Sequence, residues 1–210
     1  MRLTEAILKR MILEEMNSGL LQEVAKGPQD LPEDVFVRVF HQGPDKNLIT
    51  ILFTDRDGNY IPPVAKSGEN NPIYGDVTFN LKSTHLECDN SSVIAVTEVA
   101  DGWGPMLYDI AMEIGTMRAN GLTPDRRSVS PEAQDVWWNY LNMRPDVKAH
   151  QLDNEYNELT PKDSDNCVQM MSRERAEDYG GEWKDNALSK RFTKEVTVLN
   201  QIRDQLIWEI

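Results

Sequence analysis

The hydrophobic period of the chain changes along its length, and the changes divide it. Over residues 1–18 apolar side chains fall at helical spacing, on Leu3, Ile7, Leu8, Met11, Ile12 and Met16. They form one face of an amphipathic helix, with Thr4 placed to cap it. Gly19 and then Gly27-Pro28 punctuate the chain beyond residue 18, and a helix does not cross such residues. The pattern predicts residues 1–26 as an N-terminal amphipathic helix and linker, and residues 27–210 as the main domain. Two readings of the helix stand side by side: a first helix packed on the core, or an arm that docks on a partner.

From residue 34 the period becomes two. Asp34–His41 and Asn47–Thr54 read as strands joined by the hairpin residues Gly43-Pro44-Asp45-Lys46, with a further sharp turn at Asp57-Gly58. A loop rich in Gly, Pro and Asn then runs through Pro62-Pro63 and Asn70-Asn71-Pro72 to two more strands, Asp76–Leu81 and Ser92–Val99. Strands that succeed one another with short turns pair antiparallel, and together they predict an open sheet.

The strand over 92–99 runs into Ala100-Asp101-Gly102-Trp103-Gly104-Pro105, and a helix is predicted from Pro105. Its apolar face is Met106, Leu107, Ile110, Ala111, Ile114 and Met117. Proline suits the first helical position because its missing N–H would be unpaired there. The glycines permit positive φ and close approach. A strand, a Gly-x-Gly turn and a helix N-terminus aim free N–H groups and the positive dipole end at one point, where an anion can sit. Trp103 is either a core plug or a stacking wall for a ligand.

Ser130 and Pro131 predict the start of a second helix carrying Ala133, Val136, Trp137, Tyr140 and Leu141. Val147–Leu152 reads as a strand. Residues 153–189 are polar and strand-poor, with Gly180-Gly181 inside them. Leu188–Thr193 and Val196–Ile210 predict a last strand and a terminal helix, the latter on Val198, Leu199, Ile202, Leu206 and Ile207. Arg126 and Arg127 read either as surface partners of Asp125 or Asp101, or as a phosphate or carboxylate clamp. The fold class this predicts is α+β.

Charge and cysteine usage narrow the function. With 22 Lys+Arg against 35 Asp+Glu the formal charge is −13, a surface that disfavours nucleic acid and anionic membranes as partners. No apolar run reaches the roughly 18 residues of a membrane span. The two cysteines, Cys88 and Cys167, lie 79 positions apart without a CxxC spacing, and read as reduced, unreactive thiols. Three scattered histidines, His41, His85 and His150, do not make a metal centre. No signal-peptide pattern opens the chain, so the expected location is cytoplasmic.

The order of hairpin, two further strands, Gly-x-Gly turn, helix and short helix resembles the GNAT acyltransferase superfamily. In that family the turn reads Gln/Arg-x-x-Gly-x-Gly/Ala and its amides hold the pyrophosphate of acetyl-CoA. The matching positions here run from Val99 to Gly104. Both glycines match, and Val99 stands where the family has Gln or Arg. A second family landmark, Asn-x-x-Ala-x-x-Leu-Tyr, is echoed by Ser130–Trp137, with Trp137 in the place of the tyrosine. The stretches Gly104–Asp109, Asp125–Ser130 and Val136-Trp137 are similar to GNAT-like proteins of tailed bacteriophages. Residues 1–15 resemble a helix common at the start of phage-encoded proteins. The resemblance covers residues 76–150 and the first 15.

That resemblance implies a GNAT-like, mostly antiparallel sheet with a crossover helix. It implies an N-acyltransferase carrying an acyl group from acetyl-CoA to a small-molecule or protein amine. Val99, Gly102, Trp103, Gly104, Pro105 and Met106 would bind the cofactor. Glu98, at the strand end, or a water would be the base. The family's tyrosine protonates the departing CoA thiolate, and the Trp137 indole cannot. Tyr140 is therefore the expected acid, with Tyr108 as its substitute. Asp101 would repel the pyrophosphate, by on the order of 1 kcal/mol in water at close range. The alternative is a catalytically inactive GNAT-fold phage protein, virion-associated or host-directed, that works through residues 1–18 against a phage structural or host protein. Leu21-Gln22-Glu23 resembles sites cut by phage prohead proteases, which would make the arm a removable propeptide. A hydrolase or nuclease on Asp55, Asp57 and Asp76 lacks a positioned histidine or metal spacing. Asp55 and Asp57 read as turn residues.

Overall fold

The computed structural model of the protein describes residues 25–43, 46–81, 88–125, 129–154, 159–167 and 183–210. The expected helix over 1–18, the Leu21-Gln22-Glu23 site and the Arg126-Arg127 pair lie outside these residues.

Four strands form an antiparallel meander: β1 (Phe36–Gln42), β2 (Leu48–Thr54), β3 (Gly75–Asn80) and β4 (Ser92–Val99). The β-branched and aromatic positions of β1, β2 and β3 recur at every second residue as the sequence predicts, while β4 buries Ser92, Val93 and Ile94 in a row and exposes residues 95–98. Val37, Val39, Ile49, Ile51, Phe53, Val77 and Phe79 are fully buried. The opposite face of β2 and β3 is closed as well, where the Thr50 and Thr78 hydroxyls meet at 2.9 Å. The Asp55 carboxylate accepts from the backbone N–H groups of Asp57 and Asn59, a local turn that accounts for these acidic residues.

Helix α1 (Gly104–Arg118) then crosses over to a two-residue strand, β5 (Leu122–Thr123), which lies parallel to β4. Helix α2 (Pro131–Asn142) comes next, and the Ser130 hydroxyl accepts from Ala133 N as an N-cap should. β6 (Val147–Gln151) and β9 (Lys190–Lys194) pair antiparallel, and β9 inserts between β5 and β6. Between them the chain is polar and irregular where it is described. It holds a small parallel pair, β7 (Asp153–Asn154) with β8 (Asn166–Cys167), and the 3-10 turns 163–165, 183–185 and 187–189. With the last strand, β10 (Leu206–Glu209), the result is an α+β domain on a mixed, mostly antiparallel eight-stranded sheet ordered β10-β1-β2-β3-β4-β5-β9-β6.

Four expectations are corrected. The C-terminal segment is not one helix: α3 (Val198–Gln201) is a single turn, a 3-10 turn comes after it, and β10 (Leu206–Glu209) lies parallel to β1. Pairing with Val37–Phe40 satisfies an edge of the sheet that a helix would leave open, and Leu206-Ile207-Trp208 suits a strand. The segment predicted as a strand from Leu188 begins with a 3-10 turn, and the strand starts at Lys190. Helix α1 starts at Gly104, so Pro105 takes its second position, and it is buried on all sides from Met106 to Gly115 rather than along one face. Finally, Cys88 and Cys167 are not free thiols. They are joined in a disulfide that ties the turn before β4 to β8. Among the described residues no helix is long and apolar enough to cross a membrane.

Two buried acidic residues of α1 explain how a helix surrounded by protein keeps polar positions. Asp109 receives the Tyr140 hydroxyl and Arg144. Glu113 receives Lys194 and the backbone N–H groups of Thr197, Val198 and Leu199. It thereby caps α3 from outside.

Candidate functional site

A groove of about 550 Å³ opens where β4 loses its neighbour. β5 is only two residues long and pairs with Ser92 and Val93 alone, so β4 from Ile94 to Val99 presents an edge that β5 does not reach. A register shift opposite Thr78 and Phe79 leaves Ala95 out of the ladder, the mark of a β-bulge, which bends and twists a strand. Residues 95–98 are exposed, and Val96 stands open at 57%. The second wall is the start of α2, with Val129, Ala133, Val136 and Trp137. The floor at one end is the glycine turn.

The turn is held from several sides. Ala100 N donates to Tyr74 O and Trp103 N to Ala100 O. Gly102 takes φ +83°, a conformation that favours glycine. Trp103 is 1% exposed, packs edge-on against Phe53 at 5.4 Å, and carries the Lys26 ammonium 5.3 Å above its ring. Lys26 N donates to Gly102 O at 2.9 Å. Trp103 is therefore the plug, and it does not line the groove. Met106 is also core. Gly102, Gly104, Pro105 and Val99 do line the groove, and a side chain added at Gly104 would project into open space. The backbone N–H groups of Gly104 and Met106, in the first turn of α1, have no acceptor within the helix.

The two tyrosines part company. Tyr140 is buried, and its hydroxyl donates to Asp109 Oδ1 at 2.7 Å and to Pro105 O at 3.3 Å. Asp109 is held in turn by Arg144 at 2.8 Å. Burial, then the Asp109 carboxylate, hold the Tyr140 hydroxyl well above its ordinary value. It is not among the residues lining the groove. Tyr108 lines it. Its ring stands perpendicular to Trp137 at 5.4 Å, and its hydroxyl accepts from Thr97 Oγ1 at 3.2 Å. Burial raises its pKa, and the Thr97 bond works against that rise. Trp137 lines the groove with its ring stacked on Phe192.

Four carboxylates line the same groove: Glu98, Asp101, Asp125 and Glu132. Asp76 faces Glu98 across the β3–β4 ladder. Burial, then the Glu98 charge, raise its pKa. Among the described lining residues there is no lysine or arginine. Sequence reasoning placed the glycine turn, Glu98 and Tyr108 here. It did not find Thr97, Val96, Ala133 or Glu132, because nothing in the alternation of β4 announces that its partner stops after two residues.

Comparison of the chain with family models, with curated proteins and with solved structures returns no match.

Proposed function

We propose that the protein is a GNAT-type N-acyltransferase, moving an acyl group from an acyl-CoA to an amine. The observation that carries this reading is the juxtaposition of a strand edge that β5 does not reach, a glycine turn and a helix N-terminus in one groove. An edge strand offers backbone donors and acceptors to an extended amide-bearing chain, and the acyl-pantetheine arm of CoA is such a chain. Gly104 and Met106 would present N–H groups to a phosphate. The open space at Gly104 fits that role. Trp103 and Met106 take part as the packing that fixes the turn.

The carboxylates bear on the same fit from the other side. A phosphate about 4 Å from a carboxylate is repelled by roughly 1 kcal/mol in water, so the turn is tuned against tight phosphate binding. They suit an acceptor that arrives as a cationic ammonium, which Glu98 would deprotonate before its nitrogen attacks. Bringing the amine and the thioester together would supply most of the acceleration.

The acidic lining and Trp137 in the tyrosine position favour a second reading, a GNAT-fold protein that works by contact with a phage or host partner and performs no chemistry. Thiol release from acetyl-CoA, measured across a panel of primary amines, separates the two. Amine-dependent release is expected. Release that no amine accelerates refutes the transferase, and binding without turnover supports the second reading.

A further inference from the structure

We propose, on the reading above of the groove as the functional site, that the Cys88–Cys167 disulfide is a redox latch on it. Reduction by a protein dithiol loosens the joint between β4 and β5, and with it the β4 wall. The joint is where the groove closes. β4 meets β5 at Ser92 and Val93 alone. There Ser92 N donates to Gly121 O at 2.8 Å, and Thr123 Oγ1 donates to Ser92 O at 3.0 Å. From Ile94 onward β4 lines the groove. The chain enters this joint directly from Cys88.

Cys88, Asp89 and Asn90 take φ of +42°, +54° and +55° in succession, and only one other described non-glycine residue has a positive φ. A side chain disfavours that left-handed region, which is visited by single residues and not by runs. Such a run persists only where its surroundings over-determine it. Cys167 grips its first residue covalently. Asp89 is held by Arg191 at 3.1 Å and, at its carbonyl, by Asn120 Nδ2 at 2.6 Å. The Ser91 N–H and hydroxyl both donate to Cys88 O. Ser91 thus transmits the position of Cys88 to Ser92 and the joint.

The bridge is placed to open without the domain. Cys88, Leu152 and Cys167 form an apolar cluster of their own, apart from the main core. β8, which carries Cys167, pairs with β7 over two residues. A segment with so few apolar contacts opens locally at a lower free energy than the core does. Such opening exposes sulfurs that are otherwise buried. A thiolate of the reductant then bonds to one sulfur, and the S–S bond breaks with its electron pair on the other, which takes a proton. The reductant's second thiol displaces the first cysteine in the same way. The chain gains two electrons and two protons as two thiols, and the reductant leaves as a disulfide. Cys88 and Cys167 are the only cysteines of the chain, so no third thiol diverts the exchange.

The test is amide hydrogen exchange, read residue by residue, on oxidised and dithiothreitol-reduced protein, with acetyl-CoA titrated into the same samples. The Ser91 and Ser92 N–H groups should exchange at least about tenfold faster after reduction, while those of Val39 and Ile51, paired across β1 and β2, should change by less than about twofold. Acetyl-CoA should bind the reduced protein at least about fivefold more weakly. Asn90→Gly, at an exposed position, removes a side chain that disfavours the left-handed turn. Its reduction should therefore accelerate Ser91 and Ser92 less than in wild type. A bridge that dithiothreitol leaves intact in the folded protein overturns the latch. So does unchanged exchange at Ser92, exchange that rises across the whole sheet, or an equal response in Asn90→Gly. Measurable acetyl-CoA binding of equal strength in the two states overturns it as well. No acetyl-CoA binding to the oxidised protein overturns the transferase reading, and the exchange rates then decide the latch alone.

Discussion

Glu113→Gln tests how the domain is held behind its groove. The Glu113 side chain has no solvent exposure and that of Lys194 only 1%. Oε1 takes Lys194 Nζ together with Thr197 N at 2.9 Å and Val198 N at 2.8 Å, and Oε2 takes Leu199 N at 2.9 Å. Every contact is a donor pointing at a carboxylate, so an amide NH2 in place of one oxygen meets donors with a donor. It also leaves the Lys194 ammonium in the interior, with Asp146 4.0 Å away. Removing one partner of a buried ion pair costs about 3–5 kcal/mol. That is a large share of a typical total of roughly 5–15 kcal/mol. In a chain of this length it corresponds to a fall of roughly 6–20 °C in Tm.

The pH dependence carries a sign. Burial pushes the Glu113 carboxyl up, but the bonds from Leu199, Lys194, Val198 and Thr197 more than offset it and hold the group below its ordinary 4.5. A carboxyl depressed in the folded state contributes stability that is present above its unfolded value and lost as pH falls through the folded one. Urea unfolding of wild type and variant should therefore show a constant gap above about pH 5 that narrows below 4.5. A gap under about 1 kcal/mol at neutral pH, or one that does not narrow in acid, refutes the reasoning.

Tyr140→Phe should lower stability by about 1–3 kcal/mol, because Asp109 loses its 2.7 Å donor. CoA affinity should stay unchanged, so calorimetry and thermal melts on the same sample check both. Reduction of the Cys88–Cys167 disulfide, which closes a loop of 79 residues, should lower stability by about 2–4 kcal/mol. Melts with and without reductant test this, and mass analysis after alkylation should find no free thiol before reduction.

The meander was legible because β1, β2 and β3 carry apolar residues at every second position and the turns carry Gly, Pro and Asn. The Ser130 cap and the start of α2 were legible for the same local reason. The C-terminus misled because Val198, Leu199, Ile202 and Leu206 also satisfy a helical period. Only the open edge of β1, a partner from the other end of the domain's sequence, decides for a strand. Likewise, the disulfide depends on β8 and the turn before β4 meeting in space, which spacing does not encode. The all-round burial of α1 had a signal: Asp109 and Glu113 interrupt an otherwise apolar helix, and buried carboxylates need designated partners. At the site, the glycine turn was legible and the groove was not. The groove opens where β5 ends after Thr123, and the place at which a neighbouring strand stops leaves no pattern in β4.

The central claim, that this groove holds an acyl-CoA at the glycine turn, is tested most directly by calorimetric titration of acetyl-CoA into wild type and Gly104→Asp. The new side chain enters open space, and an acidic residue in the first turn of a helix favours the helix dipole, so the variant should stay folded. The account predicts binding to wild type that tightens as added salt screens the groove carboxylates, and no measurable binding to the variant. Equal affinity for both proteins, or no heat from either, would contradict it.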